Sequence, residues 1–353
     1  MTFDRFMGEF AVLSTRAQVA RLRQLAVEAL GSFPLVDPQL RFIAHGENTT
    51  FRVVAAEGGR DGSPVAQFLL RVHRPARHGL GVDSAAAIRS ELQWLTALRA
   101  DADLSVPAPV LTRDGQLTTT VGTAAVPEAR TCSLLRWMDG RIHTASPRPV
   151  HLRRLGTAMA RLHNHADGWV PPADFVRIRW DWATLFGNTM EYGGISAAQC
   201  WELVPADLRG MFQEVASRVG RVMAQLGDGP DVFGLVHADL HLDNALFRRD
   251  VVRLIDFDDC GFGYRIYDVA VALWELRHRP DYETLRAALV EGYTVHRPLP
   301  ATLLGHLDAF IAAREVAVGL WLAGTAQVNP DFRDSLDDEL AAIAGSLTVL
   351  LSD

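Results

Sequence analysis

The most constraining feature of this chain is a short piece of strand and loop set inside a half that otherwise reads as helix. Leu235-Val236 leads into the polar loop His237-Ala238-Asp239-Leu240-His241-Leu242-Asp243-Asn244. An apolar run over 245–247, the turn Arg248-Arg249-Asp250 and a second apolar run over 251–257 follow. The pattern predicts strand, loop, strand, tight turn and strand. A hairpin through 248–250 returns the end of its second strand, and Asp256 with it, beside the loop that carries Asp239 and Asn244. One loop and one hairpin thus bring several polar oxygens toward one cavity.

On either side the rhythm is different. Val19, Leu22, Ala26 and Leu30 recur at helical spacing over 15–30, and Gly31 ends the run. Three short β-forming runs follow, 40–44, 51–56 and 65–72, joined through Gly46-Glu47-Asn48 and through the glycine-rich residues 57–62, which predicts an antiparallel meander. A helix is expected over 84–99, with Ile88, Leu92, Leu95 and Leu98 on one stripe. Strands return at 110–112, 116–121 and 131–138. Beyond Asp139-Gly140, helical faces run over 152–163, 207–226, 267–277, 282–293, 301–323 and 334–351. Strands first and helices later predict an α+β chain of two lobes, residues 1–135 and 136–353.

Composition excludes several chemistries. All 35 basic residues are arginine, so a lysine Schiff base or a Walker-type lysine grip on phosphate is out of reach. Residues 1–150 carry 17 arginines against 14 acids, and residues 151–353 carry 18 against 28, which together give the net −7. There is no basic nucleic-acid footprint. Cys132, Cys200 and Cys260 are far apart and odd in number, which indicates neither a disulfide framework nor a zinc site. Met1-Thr2-Phe3-Asp4-Arg5 has no basic stretch before an apolar run, and no window approaches eighteen apolar residues. A cytoplasmic protein with no membrane partner is expected.

The loop and hairpin supply what phosphoryl transfer needs. One carboxylate orients the attacking hydroxyl and takes its proton, while a carboxylate and a neutral oxygen hold Mg²⁺ against the phosphates. Asp239 fits the first role, Asp256 and Asn244 the second. An Asp or Asn alone in a loop commonly makes only a local turn. The spacing H-x-D-x-x-x-x-N, then strand, turn, strand and I-D-F-D, is much more specific.

His237–Asn244 matches the catalytic loop of the kinase-like fold, and the chain resembles the aminoglycoside phosphotransferase and choline kinase superfamily. The run from Ile255-Asp256-Phe257-Asp258-Asp259 to Asp268-Val269-Ala270 is most similar to its bacterial branch, which contains homoserine kinase of the second type and stress response kinase A. The resemblance implies a bilobal kinase-like fold that uses ATP as co-substrate with Mg²⁺ and a small-molecule hydroxyl as acceptor. It implies that Asp239 is the catalytic base, that Asn244 and Asp256 bind Mg²⁺, that Asp258 lines the same acidic site, and that Asp268 braces the catalytic loop. His237 and His241 are expected to be hydrogen-bonded loop formers. On the nucleotide side it implies Arg71 at a position usually held by lysine, Glu91 as its partner, Asn48 and Thr49 toward phosphate, and Leu135 near adenine. Arginine for lysine is the clear departure: a permanent cation with a bidentate fork, larger than an ammonium.

Acceptor specificity in this family resides among the C-terminal helices, where Trp180, Asp181, Trp182, Tyr264 and Trp321 are candidate wall residues. An acidic second half suits an amine-bearing acceptor. Two other readings stand beside the small-molecule kinase: a Ser/Thr protein kinase similar to stress response kinase A, and a nucleotide-binding pseudokinase prompted by Arg71. Only eleven residues separate Asp256 from Asp268, too few for a long activation segment.

Overall fold

The structure, a computed structural model, describes residue 10 and residues 13–57, 64–75, 83–100, 104–192, 195–327 and 329–352. The expected turn at 58–62 and the start of the chain lie outside the described residues. Helix α1 (Thr15–Leu30) begins at Ser14, whose hydroxyl accepts from the Ala17 amide. Strands β1 (Leu35–His45), β2 (Thr49–Glu57) and β3 (Val65–Val72) form the expected antiparallel meander. In β2 burial alternates with period two, so Phe51, Val53 and Ala55 point inward. They meet Leu25 and Ala26 of α1, with Phe33, Phe68 and Leu70, in one apolar cluster.

Helix α2 (Ser84–Ala100) is inserted after β3, and β4 (Pro109–Val110), β5 (Thr119–Val121) and β6 (Arg130–Arg136) complete the sheet in the order β1-β2-β3-β6-β4, with β5 also on β6. Its buried stripe Leu92, Trp94, Leu95 and Leu98 belongs to the large core of the second lobe rather than to that of the sheet. Trp94 packs edge-on against Phe257, 5.6 Å between centroids. The helix therefore ties the two lobes together just behind the loop motifs.

The second lobe is built on α3 (Pro149–Gly168), α4 (Ala206–Leu226), α5 (Arg265–Trp274), α6 (Tyr282–Thr294), α7 (Leu307–Thr325) and α8 (Leu336–Ser352). The helix expected over 301–323 is two pieces, a turn at Ala301–Leu304 and then α7. Gly305 and His306 close the first piece, and the intrinsic cost of glycine in a helix favours the break there. Strand β7 (Arg179–Trp180) and strand β8 (Phe233–Val236) flank β11 (Gly261–Tyr264), and β9 (Ala245–Arg248) with β10 (Val251–Leu254) makes the expected hairpin. The last strand of that hairpin stops at Leu254 rather than running to 257, because Asp256 turns into the left-handed region at φ 62° and Phe257–Asp259 coils into a 3₁₀ turn.

All three cysteines are buried, and none is joined in a disulfide. Among the described residues no helix is long and apolar enough to cross a membrane.

Helices α3 and α6 cross with their backbones in contact, and two glycines permit it. A Cβ on Gly292 would stand 1.8 Å from the Arg153 carbonyl oxygen, and one on Gly156 would stand 2.1 Å from that of Leu289. Backbone cannot yield as a side-chain tip does, so overpacking here is costly. Gly292→Ala is expected to destabilise the protein by about 2–3 kcal/mol or more. The check is the urea midpoint at unchanged m-value; a midpoint equal to that of the parent would show that the crossing relaxes freely.

Candidate active site

The site is assembled from a carboxylate outward. Asp268, in the first turn of α5 and fully buried, accepts from the His237 amide at 3.0 Å and from the Ala238 amide at 2.7 Å. It braces the loop, as expected, through amides of that loop rather than those of its own helix. His163 Nε2 lies 2.9 Å from Asp268 Oδ2, and His163 Nδ1 lies 2.8 Å from the Tyr293 hydroxyl. Burial lowers the His163 pKa despite the carboxylate beside it. These contacts hold Ala238 at φ 66°, a conformation that costs a non-glycine residue energy. His237 Nε2 donates to the Ile255 carbonyl at 3.0 Å and so fastens the loop to the end of the hairpin.

Held this way, the loop presents Asp239 to a cleft of about 800 Å³ between the lobes. Asn244 Nδ2 donates to Asp239 Oδ2 at 2.9 Å and to the Asp239 carbonyl at 2.8 Å, which leaves Asn244 Oδ1 as its oxygen donor. Arg314 of α7 forms an ion pair with Asp239 Oδ1, and His241 Nε2 stands 3.4 Å from Oδ2. Burial alone would push the Asp239 pKa up; Arg314 and then His241 outweigh it and bring it down. Asp239 is thus an ionised carboxylate already held by three side chains, Asn244, Arg314 and His241.

Arg71 of β3 closes the opposite wall and is only 3% exposed. Its Nη1 donates to Glu91 Oε1 at 2.7 Å and to Asp258 Oδ1 at 3.2 Å, and its Nη2 donates to Asp256 Oδ1 at 3.0 Å. Glu91, from α2, is fully buried. Asn48, in the turn before β2, donates from Nδ2 to Asp258 Oδ2 at 2.6 Å, so the first lobe's turn is tied to the hairpin of the second. Enclosure in the cleft pushes the Asp256 pKa up; Arg71 pulls it down, and the carboxylates Asp239, Glu91 and Asp259 add to the rise. Carboxylate and amide oxygens crowded in this way are the hard donors that Mg²⁺ prefers.

The cleft is lined by apolar residues, Leu69, Leu135 and Met138 among them, and by the carboxylates of Asp239, Asp256, Asp258 and Asp259. Thr49 does not face this cleft. As an inward residue of β2 it bonds His45 Nδ1 at 2.7 Å and lines a separate cavity of about 140 Å³ with Gln18 and Leu22. Of the aromatic wall candidates only Trp321 reaches the cleft, where its Nε1 donates to Glu47 Oε1 at 2.8 Å. Trp180 and Tyr264 are buried and donate to the carbonyls of Asp259 and Met223, Trp182 donates to that of Ala216, and Asp181 caps a short helix.

Sequence reasoning missed Arg314. Its one signal was a charged pair, Arg314-Glu315, in the middle of a run, 309–324, whose other residues are all apolar or glycine. It also missed the rim beside Asp239, where ligand atoms of His241, Asp243 and Glu275 all lie within 4.8 Å of one another. Burial would lower the His241 pKa, but Asp239 and Glu275 raise it overall.

A family model described as the Phosphotransferase enzyme family matches residues 39–305. The homoserine kinase of Phenylobacterium zucineum is 27% identical over 281 residues, 76% of this chain and 75% of its own. Among solved structures, a microcompartment-associated aminopropanol kinase superposes with a TM-score of 0.75 at 30% identity, covering 93% of this chain and 96% of its own. An amicoumacin kinase in complex with AMP-PNP, Ca²⁺ and Ami superposes with a TM-score of 0.70 at 19% identity, covering 94% and 96%, and shows the same fold.

The charge balance at Asp239 gives a direct expectation. In Arg314→Met the largest force lowering the Asp239 pKa is gone while burial still raises it, so the carboxylate should titrate at higher pH than in the parent. Carboxyl ¹³C titration of the metal-free protein measures this. An unchanged Asp239 titration would mean that Arg314 does not set its charge.

Proposed function

The chain belongs to the phosphotransferase enzyme family, and on that footing we propose that it is an ATP- and Mg²⁺-dependent kinase that phosphorylates a hydroxyl group of a small molecule. The observation that carries this reading is the meeting of Asp239, Asp256 and Arg71 on one cleft, from two lobes, with Asn244 bonded to the first of them. Residues 1–135 would serve the nucleotide and residues 136–353 the base and the acceptor.

Asn244 Oδ1 and the Asp256 carboxylate would hold Mg²⁺, which when bound neutralises charge on the phosphates. Arg71, anchored through Nη1 to Glu91, directs Nη2 to the same side of the cleft as Asp256 and is the chain's own phosphate grip. Asn48 holds the β1–β2 turn over it. Leu135 and its apolar neighbours would receive the adenine. Asp239, kept ionised by Arg314 and fixed by Asn244, orients the acceptor hydroxyl and accepts its proton.

The rim beside Asp239 favours an amine-bearing acceptor. Asp243 and Glu275 place two carboxylates next to the base, a setting that suits an ammonium group on the molecule whose hydroxyl is attacked. Homoserine and aminopropanol, for which the relatives are named, both combine an amine with a hydroxyl.

Two substitutions separate base from metal ligand. Asp239→Ala should lower turnover by about 10²–10⁴-fold with nucleotide binding largely intact. Asp256→Ala should remove the Mg²⁺-dependent part of nucleotide binding. ADP release measured against homoserine, aminopropanol, choline-like amines, aminoglycosides, sugars and protein acceptors, with calorimetry of nucleotide with and without Mg²⁺, reads both. Undiminished turnover in Asp239→Ala would defeat the mechanism, and turnover confined to protein acceptors would defeat the small-molecule reading.

A further inference from the structure

Behind Asp139 and Gly140, which also line the nucleotide cleft, lies a second cavity of about 580 Å³. Arg141, Arg148, Arg154, Arg248 and Arg249 line it, with Asp139 as the one acid among the lining residues. Asp250, at the tip of the β9–β10 hairpin, holds Arg154 at 2.5 Å, and Asp139 reaches Arg248 only at 4.0 Å. Five guanidinium groups are thus gathered from two separate stretches of chain around a space with far too little carboxylate to balance them.

The local structure departs from ordinary rules in the same direction. Arg148 is the N-cap of the twenty-residue helix α3, a place where Ser, Asp or Asn is favoured and a positive charge opposes the helix dipole. The first turn of α3 contains no acid, and arginine has no acceptor with which to cap it. Beside it His151, 3% exposed, is the aromatic wall of the cavity, stacked on His143 with 3.8 Å between centroids. The Arg148 amide donates to His151 Nδ1 at 3.2 Å, so a neutral ring carries its proton on Nε2. That nitrogen faces Arg148 Nη2, 3.3 Å away. Two donors therefore meet at the cavity wall with no acceptor between them. Burial, then the neighbouring His143, Arg148 and Arg154, pull the His151 pKa down to about 4, which favours the neutral ring.

Where local rules fail together, a ligand is the usual compensation. We propose that this cavity is a second binding site, separate from the nucleotide cleft, for a small phosphate-bearing anion, either inorganic phosphate or a phosphomonoester. An oxyanion seated there accepts from Arg148 Nη2 and His151 Nε2 together, supplies the missing charge at the start of α3, and meets the planar, bidentate donors of the remaining arginines.

The test uses nucleotide-free protein in EDTA at fixed ionic strength. Under those conditions the arginines lining the cleft already have partners, Arg71 three carboxylates, Arg136 Glu57 and Arg52 the Gln67 side chain, and the double variant leaves all three in place. Inorganic phosphate and glycerol 3-phosphate are titrated by calorimetry into the parent and into an Arg148→Gln, Arg249→Gln double variant. One saturable site is expected for at least one probe, weakened by about tenfold or more in the variant, since each lost charge-assisted contact contributes at least that factor. Kinase turnover without added anion should be unchanged. Which probe binds more tightly identifies free phosphate or phosphomonoester as the ligand. Absence of saturable binding of both probes, or equal affinity in the variant, would overturn the proposal. The parent alone provides a second reading: the imidazole proton signals of His143 and His151 should move on phosphate addition, and signals that stay fixed would also overturn it.

Discussion

One guanidinium holds this structure's working parts together. Arg71, on the third strand of the first lobe, is buried against Glu91 of the inserted helix and against Asp256 and Asp258 at the end of the hairpin. Burying a charge is expensive unless its hydrogen bonds are well made, and removing one partner leaves the rest uncompensated. Here the fork geometry of arginine matters. Nη1 serves Glu91 and Asp258 while Nη2 serves Asp256, a division of direction that the point charge of an ammonium does not offer. Arg71 is outnumbered three to one by the carboxylates it touches, so the pair that locks the lobes also leaves a net negative site, the electrostatic condition for a bound divalent cation.

A second buried network sets the position of Asp239. Asp268 joins two loop amides to His163, and through it to Tyr293 of α6. The residues it steadies, Ala238 and the nearby Asp256, are two of the four described non-glycine residues with positive φ. Strained backbone at the loop and at the hairpin's end is sustained because the surrounding hydrogen bonds determine it. The tight crossing of α3 and α6 at Gly156 and Gly292 belongs to the same arrangement, since His163 lies on α3 and Tyr293 on α6.

What the sequence disclosed follows the distance over which each feature is encoded. Asp239, Asn244 and Asp256 lie within one loop and one hairpin, so spacing alone placed them near one another. Arg71 and Glu91 are on consecutive elements whose types were plain from their periodicity. Asn48 and Thr49 are adjacent, yet one sits in a turn and the other opens a strand, and strand alternation sends Thr49 to the opposite side. Strand β11 escaped notice because two of its four residues are glycine. They are needed there, since a Cβ on Gly261 would stand 2.5 Å from the Ile178 carbonyl oxygen. Arg314 lies seventy-five residues from the aspartate it pairs with, and no local pattern encodes such a contact.

Charge totals mislead for the same physical cause. The second half of the chain carries a net balance of −10, as its 18 arginines and 28 acids require, yet it contributes three of the five arginines around the cavity behind Asp139. Arg141 and Arg148 come from the end of the first half, and Arg248 and Arg249 from the tip of the hairpin whose other end presents Asp256. The pairing of Arg141 with Phe247 through both backbone hydrogen bonds, each 2.9 Å, brings these segments together. One hairpin thus carries acid to the cleft at its base and arginine to the cavity at its turn, with Asp139 and Gly140 between them. A field that changes sign across a wall so thin is a property of the fold, and only the pairing of strands makes it visible.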